Sequence, residues 1–95
     1  MAYLVRLDRP VRLKVESLNF PILLRFTRIT RQLAVDPRPS PDVPEIRREV
    51  SYGDAYSWRD ATFPMLILYR VFTSDVDPQT GLVWVYELRE RGKGT

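Results

Sequence analysis

The plainest alternation of apolar and polar positions lies near the C-terminus. MLILYRVFT, residues 65–73, is apolar on both alternating faces apart from Arg70. Its length and its β-branched and aromatic content predict a central strand. SDVDPQTG, residues 74–81, supplies the Asp, Pro and Gly of a turn. In LVWVYELRE, residues 82–90, Leu82, Trp84, Tyr86 and Leu88 alternate with Val83, Val85, Glu87 and Arg89. The two segments are therefore expected to pair as an antiparallel hairpin, with Leu68 and Trp84 inside.

The N-terminal pattern reads in the same way. VRLKV, residues 11–15, alternates Val11, Leu13 and Val15 with Arg12 and Lys14, as a half-buried strand does. YLVRL, residues 3–7, is expected as a shorter edge strand, with Pro10 breaking the ladder between the two. In PDVPEIRREVSYG, Asp42 and Glu45 have the spacing of a capping box. Ile46 and Val50 then share a helical face and Gly53 is placed to stop it, so one short helix is predicted here.

FPILLRFTRITRQLAVDPRPSPDVP, residues 20–44, fits two patterns. As a helix, Ile22, Phe26, Ile29 and Leu33 form one apolar stripe and Arg25, Arg28 and Arg31 project mostly away from it. As strands, ILLRF and QLAV pair across TRITR, which suits the β-branched Thr27, Ile29 and Thr30 better. The four prolines that follow predict a stiff, extended connector across an edge of the domain; the same segment also suits docking into an aromatic groove.

The order RPVRLKVE, FPILLRF, TRQLAV, LYRVFT and TGLVWVYELRE resembles a family of short uncharacterised bacterial β-rich proteins. Members are often encoded beside error-prone DNA polymerase genes. The resemblance spans most of the chain but departs from the family in TRITR, which lacks the usual glycine, and in SYGDAYSW, which offers only Trp58 of a tryptophan-rich middle. It implies strands rather than a helix over residues 22–34, and an accessory role in DNA repair. It supplies no catalytic residue to carry over.

Composition narrows the chemistry. Ninety-five residues at 44% hydrophobic content make one domain, placed at residues 1–90, with a polar, flexible tail at 91–95. Cysteine and histidine are both absent, which removes thiolate metal sites, Ser–His and Cys–His nucleophiles, and the commonest general base. Asp75 and Asp77 read as turn formers, and the four glycines form no phosphate loop. No enzyme activity and no cofactor are expected. Charges interrupt the N-terminus too often for a signal peptide, and the longest uncharged run, 61–69, is too short to span a membrane. A cytoplasmic location follows as an expectation.

Charge is uneven. The net +3 is ordinary, but residues 1–35 hold seven basic residues against Asp8 and Glu16. Of the 15 basic residues 13 are arginine, which suits bidentate binding of phosphate or carboxylate. The expected architecture is mainly β, a small antiparallel sheet or half-open barrel with one short helix; the alternative is α+β with a helix at 22–34. The expected role is a non-enzymatic accessory binding protein for single-stranded nucleic acid. Arg12, Lys14, Arg25, Arg28 and Arg31 would meet phosphates, and Tyr52, Tyr56 and Trp58 would stack on bases. The alternative is a module that binds a protein partner or a second copy of itself.

Overall fold

A computed structural model describes residues 3–49, 55–77 and 80–90. In chain order its elements are β1 (Tyr3–Leu7), α1 (Arg9–Glu16), α2 (Phe20–Val35), β2 (Ile46–Arg48), β3 (Ala55–Trp58), β4 (Met65–Thr73) and β5 (Gly81–Glu90). The strands form one sheet in the order β1-β5-β4-β3-β2. β1 runs parallel to β5, and the other neighbours are antiparallel. The fold is thus α+β: the sheet expected of a mainly β chain is present, together with the helix of the alternative reading.

Both helices begin with the same local device. Asp8 is extended and its carboxylate accepts from the Arg9 amide at 2.9 Å; Asn19 is extended and its side chain accepts from the Ile22 amide at 3.1 Å. In each case a proline, Pro10 or Pro21, follows two residues later inside the first turn, where its missing N–H leaves no bond unmade. Pro10 therefore starts α1 and does not break a ladder. The strand expected at 11–15 fails for the same reason: Val11 is buried and Val15 half-buried one turn later, while Leu13 faces solvent. In α2 the threonines that argued for strand are accommodated by hydroxyl bonds to helix carbonyls, Thr27 to Leu23 at 3.0 Å and Thr30 to Thr27 at 2.8 Å.

The short helix predicted after Asp42 is absent from the described part of that segment. Residues 41–45 turn, Val43 bridges Ser40, and Ile46–Arg48 pairs with β3. Burying Ile46 against Trp58 in the sheet outweighs a capping box that the preceding turn never completes. Val50 and Gly53, also assigned to that helix, lie outside the described residues, as does the 91–95 tail.

The core lies between the helices and one face of the sheet. Phe26, Ile29 and Leu33 of α2 and Val11 of α1 pack with Tyr3, Ile46, Tyr56, Trp58, Ile67, Tyr69, Val71, Val83, Val85 and Leu88. The β4–β5 hairpin forms as expected, but with a bulge. Leu68 pairs with Glu87 and Tyr69 with Val85, so Tyr86 is an extra residue. The bulge lets Val83, Val85 and Leu88 all face the core, although strict alternation would set Leu88 against the other two. Trp84, expected inside, is therefore half-buried on the opposite face, as are Leu82 and Tyr86. Leu68 is buried, as expected. At the hairpin's far end Gly81 faces Thr73, and a Cβ there would meet the Phe72 carbonyl oxygen at 2.1 Å.

Two substitutions separate packing from capping. Leu33→Ala removes a fully buried side chain and should cost about 2–5 kcal/mol. Asn19→Ala removes one capping bond and should cost about 1 kcal/mol. Chemical denaturation of both variants measures the two losses, and a reversed order would show that α2 is held by its cap and not by its stripe.

Candidate functional site

α2 is amphipathic twice. Its inner stripe, Ile22, Phe26, Ile29 and Leu33, seats on the sheet. A second stripe, Phe20, Leu24, Arg28, Arg31 and Val35, advances by four, four, three and four residues. At about 100° per residue the two stripes lie about 170° apart. The outer one faces solvent: Phe20 is 73% exposed, Leu24 41% and Val35 64%, with Arg28 and Arg31 exposed between them. Sequence reading took the arginines for a basic face and missed the apolar residues that alternate with them; the spacing carried that signal.

On the sheet face away from the helices, Ser57 and Leu68 are buried, but the end formed by β1, β5 and β4 is open. Leu4, Leu82 and Phe72 lie abreast on β1, β5 and β4, with Leu4 56% and Phe72 48% exposed. In the next row Arg6 and Arg70 flank Trp84, and the Arg70 guanidinium sits 5.7 Å from the Phe72 ring centre. Arg47 is exposed on β2 and pairs in register with Ser57, whose buried hydroxyl has no hydrogen-bond partner among the described residues. A hollow of about 440 Å³ at the β1 edge, lined by Leu4, Thr30, Arg31, Ala34 and Gly81 among others, lies between this face and the outer stripe of α2.

Of the predicted site residues, Arg25, Arg28 and Trp58 line one hollow, and Arg12, Lys14 and Arg31 lie apart from it. Arg12 is exposed on α1, and the Lys14 ammonium on the same helix donates to the Leu88 carbonyl at 2.9 Å. Arg25 and Arg28 line a different hollow from Arg31. Tyr56 and Trp58 are buried toward the core and are not a stacking platform, because β3 turns them under the helices. Tyr52 lies outside the described residues. Asp75 and Asp77 sit in a turn fastened by Ser74, whose hydroxyl accepts from the Val76 and Asp77 amides at 3.2 and 3.4 Å. Among the described residues no three potential ligands cluster for a metal ion, and no helix is long and apolar enough to cross a membrane.

Two polar clusters fix the loops around these surfaces. After α2 the chain crosses the end of the core, so the proline-rich segment begins as the connector expected of it. Pro37 is buried and its carbonyl accepts from the Tyr69 hydroxyl at 2.6 Å. Arg38 donates to the Tyr3 hydroxyl at 2.9 Å and to the Thr73 hydroxyl at 2.7 Å. Burial pushes the Tyr69 phenol well above its ordinary value and works against the Arg38 charge, but contacts with the Tyr3 and Tyr56 phenols leave Arg38 raised. Arg38 carried no periodic signal and was missed. In the β3–β4 loop the Asp60 carboxylate accepts from the Trp58 indole, from the Thr62 amide and hydroxyl at 2.7 Å each, and from the Phe63 amide at 2.8 Å. Burial acts to raise the Asp60 carboxyl, and these bonds outweigh it, so it is held below the usual range.

No family model and no curated protein matches the chain. The fold, however, is that of a chain in the crystal structure of the archaeal RelE–RelB complex from Pyrococcus horikoshii OT3. The TM-score is 0.73 at 21% identity, over 98% of this chain and 99% of that one. That likeness overturns the resemblance to the polymerase-linked family, which implied strands where α2 stands, and with it the expected role in DNA repair.

Asp60 generates a pH prediction. Its folded value is depressed, so its contribution is complete above the unfolded carboxylate value near ~3.9 and is lost as pH falls through the folded one. Denaturant midpoints at neutral and acid pH should differ less for Asp60→Asn than for the unmodified chain. Equal differences would show that the loop does not sense the carboxylate charge.

Proposed function

We propose that the chain is a non-enzymatic interaction module whose partner is another protein. The observation that carries this reading is the outer stripe of α2. A helix already seated by one apolar face has no folding reason to expose Phe20, Leu24 and Val35 on the opposite one. Large apolar side chains interleaved with arginines are the composition of a protein-binding surface, where aromatics and Arg are enriched. The bare row of Leu4, Leu82 and Phe72 has the same character, and the β1-edge hollow between the two surfaces suits a partner that wraps around that edge. The fold neighbour comes from a complex of two proteins, RelE and RelB, which supports the same reading. A partner of matching chemistry presents apolar side chains with carboxylates between them. Nucleic acid fits less well, since Tyr56 and Trp58 offer no exposed ring.

The full chain, tagged and purified from its native cells under nuclease and high salt, should retain one protein in fixed ratio. Phe20→Ser/Leu24→Ser/Val35→Ser should release that protein with little change in melting temperature, each exposed substitution contributing within about 0.5 kcal/mol. The reading fails if the chain keeps no protein partner, or if the triple variant keeps it equally well.

A further inference from the structure

A second cleft, on the flank of α2, shares only Arg28 with these surfaces. It measures about 560 Å³, within the size range of small-molecule sites. One wall is α2, where Arg25 and Arg28 stand one turn apart. The facing walls are the turn before β2, with Asp42 and Glu45, and the β3–β4 loop. Trp58 reaches the cleft from the core. Charges of both signs thus line one hollow, yet among the described residues none of the four makes an ion pair within 4.0 Å or a side-chain hydrogen bond. Opposed charges that close up would neutralise one another; here the shape of the fold holds them apart.

We propose that this cleft binds a small dipolar ligand of the basic amino acid class. Its carboxylate would be forked by Arg25 and Arg28, which lie at neighbouring positions of one helix face. Its cationic side chain would lie toward Asp42 and Glu45, at the margin of the cleft where the buried Trp58 indole senses the change. A ligand bearing only one charge would satisfy one wall and leave the other unpaired, and that is the source of selectivity. The cleft is also preorganised. Asp60 ties the Trp58 indole to the Thr62 and Phe63 amides, so the loop wall and the ring are set before a ligand arrives. Asp60 is occupied by those bonds and is not a ligand contact.

L-arginine is the probe, and the two tryptophans of the chain make the readout internal. In a titration of the full chain followed by amide and indole N–H resonances, the Trp58 indole should shift and saturate. Trp84, on the far face of the sheet, should not move. Open, water-exposed charges set the expected Kd at about 1 mM. Agmatine, which lacks the carboxylate, and Nε-acetyl-L-lysine, which lacks the side-chain cation, should each bind at least about tenfold more weakly. Arg28→Gln and Asp42→Asn alter exposed charges with little effect on folding, and each should weaken L-arginine by a similar factor. Absence of a saturable Trp58 shift, equal binding of agmatine, or variants that bind as the unmodified chain would overturn the proposal. The ligand titrations and Asp42→Asn leave the outer stripe of α2, which shares only Arg28 with the cleft, untouched, so the two readings fail separately.

Discussion

The seating of α2 on one face of the sheet is the contact from which the remaining surfaces follow. Phe26, Ile29 and Leu33 are buried there, and the Phe26 ring lies 5.9 Å from that of Phe63, which draws the β3–β4 loop under the helix. The end of α2 then delivers Pro37 and Arg38 to the tyrosines at the end of the core. One amphipathic helix can cover one side of a five-stranded sheet, so the other side keeps Leu4, Phe72 and Trp84 without a described cover. The same seating sets Arg25 and Arg28 opposite Asp42 and Glu45, across a space the helix is too narrow to fill.

How much of this was legible depended on the length of each pattern. β4 and β5 run for nine and ten residues, long enough for a strand to declare itself. Val11, Leu13 and Val15 fit either period, because positions four apart also share a helix face; three apolar residues cannot separate the two. The deciding information was chemical and local. Asp8 before Pro10 and Asn19 before Pro21 are two copies of one helix start, and reading the prolines as ladder breakers hid both. Ile46–Arg48 is too short to have a period. The bulge at Tyr86 was invisible because it depends on which β4 residue stands opposite, and that turned Trp84 away from the core.

The candidate sites were less legible than the fold, for a related reason. A row of arginines at spacing three turns about 120° around the helix from Arg25 to Arg31, so those two belong to different surfaces although they stand together in the sequence. The acidic wall of the cleft comes from a segment separated from α2 by the proline-rich connector, and no local spacing encodes that meeting. Tyr56 and Trp58 looked like surface aromatics in a polar stretch; a four-residue strand with all four residues buried gives no alternation to warn otherwise.

One further consequence lies in the pairing of β1 with β5, from Tyr3↔Gly81 to Leu7↔Val85. β1 leaves the ribosome long before its partner β5, and α1 and α2 meanwhile have no complete sheet to seat on. The helices can form early, but their apolar faces stay open until β5 has emerged, which makes the fold slow to close and exposed to misassociation while it waits. Gly81 stands at the start of that last strand, under a carbonyl that admits no side chain. The arrival of β5 between β1 and β4 is therefore the event that joins the N-terminal strand and the helices to β2, β3 and β4 as a single molecule.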